Sequence, residues 1–329
     1  MIDIGVVVSV VGSLPRPLFL IRSINRYRAG RIGADELELA YRKATDRVLK
    51  KVSGAGAALS TDGMLRWDDI FTLFTRGLRG VEEDGLYRFF DNNFYYRVPV
   101  ITGRLVLGAP LTVEWFKLAN ESAASYGLKL KPSLPGPLTF ALLAQDKHYG
   151  SRLKVLEDFL RVLEAEVEAL EEAGAEVVEL QEPSLVDRHV SRRLVAADVR
   201  LLEEFSSTLR CKLWVHTYFG AGKYVARRLL SSSIPIVGLD YVEAPRTIRR
   251  LAESFSGREV ALGVVDARNT RMEKPGRVAR VLGMAVDAGA SAVYATPNAM
   301  LEFLPEVVAY RKIRLLSRAV KLLGGGVDG

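Results

Sequence analysis

Apolar and polar positions alternate along this chain in two registers. Short β-branched runs are followed by longer stretches whose apolar residues recur at three- and four-residue steps, the pattern of repeated strand–helix units. Eight runs read as buried strands: VVVSVV (6–11), AALST (57–61), LKPSL (130–134), EVVELQ (176–181), KLWVHT (212–217), IVGLD (236–240), VALGVV (260–265) and SAVYAT (291–296). Residues 154–173 place Leu156, Phe159, Leu160, Leu163, Val167 and Leu170 on one helical face, and Gly174 ends that run. Residues 35–52 read as a second helix, with Asp35 as the expected cap and Gly54 as the stop. From about 77 to 127 an aromatic-rich excursion with a further strand-like run, VPVITGRLVL, is expected to form an inserted hairpin and helix.

Eight strand–helix units can close a barrel or lie as an open doubly wound sheet, and the strand ends choose between them. Polar or turn residues stand where each apolar run finishes: Gly12 and Ser13, Asp62, Pro135 and Gly136, Gln181 and Glu182, His216, Asp240, Asp266, then Pro297 and Asn298. A barrel brings all of these ends to one face, where such folds hold substrates; an open sheet joins only a few. No G-x-G-x-x-G follows a strand, so dinucleotide binding lacks its usual signal. The expected fold is α/β, a (β/α)8 TIM barrel with an insertion between its second and third strands. It is expected to form one domain over 1–323, with a flexible tail at 324–329.

Composition narrows this further. A length of 329 residues suits one barrel, and 49% hydrophobic with 26% charged residues describes a folded globule. No apolar run approaches the roughly 20 residues of a membrane helix, and no signal-peptide pattern opens the chain. The single cysteine, Cys211, cannot form an internal disulfide, so a cytoplasmic location is the default expectation. The 46 basic and 39 acidic residues leave a net charge of +7, but they are intermixed along the whole chain. That arrangement points to an ion-paired surface, with neither nucleic acid nor membrane as partner.

The strand ends also form an ordered set of motifs: VVGSLPRP, TDGMLRWDDIF, KLKPSLPGPLTF, VVELQEPSL, HTYFG and LGVVDARN. Together they resemble cobalamin-independent methionine synthase, from Val10 to about Leu316. The full-length enzyme of that family has two related barrels. The carboxy-terminal one uses zinc to activate homocysteine as a thiolate that attacks the methyl group of methyl-tetrahydrofolate, and the zinc-free amino-terminal one helps hold the folate and its glutamate tail. RFFDNNFYYRVP, HTYFG and GVVDARN resemble the amino-terminal barrel, whereas VVGSLPRP is closer to the catalytic barrel and its single-barrel relatives.

The resemblance implies a zinc site of His-x-Cys after the fifth strand, a glutamate after the sixth and a cysteine after the eighth. Here His216 matches, but Tyr218 and Ala299 stand at the cysteine positions, and neither Asp240 nor Glu243 is in secure register with the glutamate. Met64 and Gln181 replace the two carboxylates that would pair with the homocysteine ammonium. No cofactor is therefore expected, with zinc as the group the family would imply.

Gly12, Ser13, Arg16, Arg22, Asp62, Arg88, Gln181, Asp240, Asp266 and Asn298 are the candidate substrate-binding residues. Arg16, Arg22 and Arg88 fall near positions where the amino-terminal barrels present basic groups to a polyglutamate tail, and an arginine fork suits a carboxylate. Arg88 reads equally well as a surface residue. Phe89, Phe90, Phe94, Tyr95 and Tyr96 can stack on a pterin, though packing of the insertion is the favoured role. Glu182 and His216 are candidates for an acid–base pair or for a buried ion pair. His148 and His189 are expected in solvent, while Gly136 and Gly220 are expected to serve backbone geometry.

Two functions follow. On the first, the resemblance implies a folate-type methyl-donor-binding or accessory component beside a separate zinc-bearing catalytic barrel. On the second, a stand-alone methyltransferase with a different donor or acceptor is expected.

Overall fold

The structure, a computed structural model, describes residues 5–324. All eight expected strands occur in chain order, each within a residue or a few of its expected place. Contacts divide the chain into two compact units: residues up to 66 with 115–131 and from 255 onward, and residues 67–114 with 132–254.

In the first unit, Val6–Val8 and Glu259–Val265 flank Ala292–Pro297 in parallel, with Val6 opposite Val293 and Val260 opposite the same residue. Leu59–Ser60 pairs in parallel with Lys129–Leu130. In the second unit, Ser133–Pro135, Val177–Gln181, Lys212–His216 and Ile236–Asp240 run parallel in that order. The inner strands are apolar and buried almost throughout, as parallel strands covered by helices must be. The third expected strand is split into Lys129–Leu130 and Ser133–Pro135. Pro132 stands in the gap, where its missing N–H cannot join a ladder.

The helix Arg152–Glu172 buries the six apolar residues named from the sequence, and Gly174 turns the chain at φ +96°. The helix Ala34–Gly54 corrects two expectations. Gly33 is its N-cap, while Asp35 lies in the first turn, where its charge favours the helix dipole. Gly54 is the last helical residue, and the left-handed turn falls to Gly56 at φ +92°, where an added Cβ would lie 2.3 Å from the Ser317 hydroxyl.

The insertion is an antiparallel hairpin, Leu78–Arg88 with Tyr95–Leu107, and Gln145–Asp146 adds a third strand in parallel. The helix Val113–Ala124 follows it. The expected tail begins at Gly324, the final residue of the helix Glu306–Gly324; its remainder lies outside the described residues.

Candidate functional site

In the second unit the strand Lys212–His216 delivers Trp214 and His216 to one face, because alternate residues share a side. Trp214 Nε1, which can only donate, lies 3.1 Å from His216 Nδ1. Nδ1 therefore carries a lone pair, and in a neutral ring the proton sits on Nε2. The imidazole is buried and lies over Gly238, its partner in the ladder, where a Cβ would come within 2.1 Å of Nδ1.

Tyr218, also buried, donates its hydroxyl to Gln181 Oε1 at 3.0 Å. Gln181 Nε2 donates to the Ser133 hydroxyl at 3.0 Å, and that hydroxyl donates to Glu179 Oε1 at 2.6 Å. The carboxylate at the end sets the direction of every bond, so the Gln181 amide has one orientation and the Tyr218 proton one destination. Burial, and then the charges of Glu179 and Glu182, hold the Tyr218 phenol well above its ordinary pKa.

Glu182 follows the neighbouring strand and sits at the start of the helix Pro137–Leu143. Its oxygens accept from the Leu138 and Thr139 amides at 2.7 and 2.9 Å and from the Thr139 hydroxyl at 2.6 Å. Burial nevertheless pushes its carboxyl up to about 7, against the lowering effect of those donors. Asp198, inside the helix Arg192–Thr208, is buried, and neither oxygen is hydrogen-bonded among the described residues. Burial and then the Glu182 charge raise its pKa well above the carboxylate range. The expected Glu182–His216 pair is joined through backbone, Glu182 N–H to His216 carbonyl at 2.8 Å, while the carboxyl is engaged by the helix terminus and Nδ1 by Trp214.

Gly136 departs from its expected role. Its φ of −75° is open to any residue, but a Cβ there would lie 2.1 Å from Glu182 Cδ, so the glycine makes room for the carboxyl. Gly220, at φ +150°, keeps the expected backbone role.

Asp240 is buried and braces a turn: Oδ2 accepts from the Phe219 amide at 2.9 Å and Oδ1 from the Glu243 amide at 3.0 Å. Phe219 has φ +71°, a conformation costly for a bulky side chain. Its half-buried ring lies 5.4 Å from Phe90, itself at φ +51° on the insertion, and 6.1 Å from Phe89. Phe89 and Tyr96 are buried as packing residues, whereas Tyr95 is exposed. Arg88 bonds the Asn92 carbonyl at 2.7 Å and closes the tip of its own hairpin. His148 and His189 are exposed, and burial raises the Cys211 thiol to about 12.

In the first unit, Gly12 at φ +53° begins the turn after the first strand, and its carbonyl accepts from the Thr61 hydroxyl at 2.6 Å. The Ser13 hydroxyl is buried with no hydrogen-bond partner among the described residues. Arg16 Nε donates to the Leu65 carbonyl at 2.9 Å, and Arg22 is exposed on the helix Leu18–Arg28. Asp62 Oδ1 accepts from the Met64 amide at 2.8 Å, and burial raises its pKa. Met64 is held at φ +51°. Asn298 is buried and accepts from the Ala267 amide at 2.8 Å, while half-buried Asp266 accepts from the Arg268 amide at 2.8 Å. Among the described residues no group of three or more His, Cys, Asp or Glu is disposed to hold a metal.

Residues 45–285, most of the chain, match the family described as cobalamin-independent synthase, N-terminal domain, and the chain belongs to that family. It is similar to the methionine synthase of Sulfurisphaera tokodaii, 28% identical over 96% of this chain and 91% of the relative. The methionine synthase of Saccharolobus solfataricus is 26% identical over 96% and 94%. Among solved structures, a B12-independent methionine synthase from Shewanella sp. W3-18-1, in complex with selenomethionine, matches with a TM-score of 0.82 and 24% identity over 96% of this chain and 97% of that one. A putative B12-independent methionine synthase from Listeria monocytogenes gives a TM-score of 0.77 at 19% identity, over 96% and 97%. The fold is the expected (β/α)8 barrel.

Trp214, Ser133, Glu179, Asp198 and Thr139 were not singled out from the sequence. The i, i+2 spacing of Trp214 and His216 was a usable signal. An aspartate in the apolar stripe of 192–208 was another, because a buried carboxylate is uncommon without a partner.

Proposed function

We propose that this barrel is a zinc-free member of a methionine-synthase-type methyl-transfer system. It binds a folate-type methyl donor and works beside a separate barrel that supplies zinc and the homocysteine site. The observation that carries this reading is the buried hydrogen bond from Tyr218 to Gln181. It joins the position of a zinc cysteine to the position of a homocysteine carboxylate, and it satisfies each with the other.

Zinc that activates a thiol needs three fixed protein donors and one open position. The residues here do not fit that requirement. Trp214 occupies one ring nitrogen of His216, which leaves the proton on the other; the Tyr218 phenol is kept protonated; Ala299 has no donor atom. The half-buried Phe219 and Phe90 rings suit a flat heterocycle. Within the first unit taken by itself, Ser13 and Arg16 are proposed as ligand contacts.

A second reading, methyl transfer by the chain alone, is favoured by one observation: the chain spans 91% of a relative named methionine synthase, so a protein of this extent carries that name by itself.

Titration with methyl-tetrahydropteroyl-triglutamate, followed by tryptophan fluorescence, tests the first reading. Saturable binding without methionine formation from homocysteine is expected. Absence of binding overturns it, and methionine formation by the chain alone selects the second reading.

A further inference from the structure

A cleft of about 440 Å³ lies between the helices Ala34–Gly54 and Glu306–Gly324, lined by Lys51, Gly54, Val307, Tyr310, Arg311 and Arg314. Its volume is that of a small-molecule site. Three of the six lining residues are cations and none is an acid.

Arg311 and Arg314 stand one helical turn apart, so their exposed side chains emerge from the same side of the helix, and neither has a carboxylate partner among the described residues. Lys51 reaches in from the other helix, with its ammonium 5.0 Å from the centre of the Tyr310 ring. Glu306 is bonded to Lys51 and also to Arg47 at 3.4 Å, so one acid is shared by two cations and Arg311 and Arg314 add to the positive charge.

Tyr310 supplies the second observation. It is only 6% exposed, and its hydroxyl is buried without a hydrogen-bond partner among the described residues. An unpaired hydroxyl in a native interior costs free energy, and its presence beside clustered cations calls for an acceptor. Phenylalanine would fill the same space without that cost.

We infer that this cleft binds a polyphosphate anion, with Arg311 and Arg314 gripping its oxygens, Lys51 neutralising charge and the Tyr310 hydroxyl donating. Two guanidinium forks match phosphate geometry, and three cations exceed what a single carboxylate requires. Gly54 leaves the floor open: nothing lies within 4 Å of where its Cβ would stand.

Isothermal titration of the full chain with inorganic pyrophosphate at low ionic strength tests this. One site is expected, weakening steadily with added salt. The exposed double variant Arg311→Glu/Arg314→Glu, verified as folded by its far-UV spectrum, should lose at least tenfold in affinity. Tyr310→Phe should weaken binding several-fold while leaving the melting temperature of the free protein unchanged or raised. No pyrophosphate binding up to millimolar concentration, or equal binding by the double variant, overturns the inference.

Discussion

The Tyr218 hydroxyl donates to Gln181 Oε1 across 3.0 Å, with both side chains buried. A phenol and an amide thus close a polar chain that continues through Ser133 to Glu179. Tyr218→Phe removes a donor from this buried chain and should cost about 1–3 kcal/mol. Because the two residues are in contact, a double-mutant cycle of Tyr218→Phe with Gln181→Leu, measured by urea unfolding, should give a coupling of about 1 kcal/mol. Additive effects would mean that the bond contributes nothing.

His216 should populate one tautomer. With Trp214 donating to Nδ1 at 3.1 Å, ¹⁵N correlation spectra should show Nδ1 as the unprotonated nitrogen and Nε2 as the protonated one. Trp214→Phe should broaden or invert that preference. A protonated Nδ1 in the unmodified protein would contradict the assigned hydrogen bond.

Stability should fall as pH rises through neutrality. The Glu182 carboxyl is raised by burial from 4.5 to about 7, so between those values the folded chain holds a proton that the unfolded chain has lost. The stabilisation is complete below pH 4.5 and is lost as pH passes 7. Asp198, raised in the same direction, adds to the slope. Glu182→Gln should flatten the dependence between pH 5 and 8. Asp198→Asn should stabilise the chain more at pH 8 than at pH 5, because the cost of keeping Asp198 protonated grows as pH rises above its unfolded value. Urea midpoints at the two pH values measure both effects.

Two glycines should be intolerant for reasons unrelated to backbone freedom. Gly238→Ala puts a methyl group 2.1 Å from His216 Nδ1, and Gly136→Ala puts one 2.1 Å from Glu182 Cδ. Each should cost about 1–3 kcal/mol through forced displacement of a packed side chain. Gly54→Ala, in open space within a helix, should instead stabilise by about 0.5–1 kcal/mol. Thermal unfolding of the three variants separates these signs.

The strand order was readable because eight apolar runs alternate with helical stripes, a pattern that survives without side-chain detail. The helix at 34–54 was readable in extent, but not at its cap, because Asp35 and Gly33 both suit that position and only the backbone distinguishes them. The Trp214–His216 and Tyr218–Gln181 contacts were not readable. Each depends on side chains meeting within a strand face or across strands distant in sequence, and no local propensity encodes that. Gly136 misled for the same reason, since the steric demand comes from Glu182, 46 positions away along the chain.

The metal content of the purified chain reports most directly whether His216 holds zinc. Protein prepared with zinc in the medium and freed of loosely bound metal by mild chelation should contain far less than one zinc per chain, and His216→Ala should leave that content unchanged. One zinc per chain, lost on His216→Ala, would mean that His216 holds a metal after all.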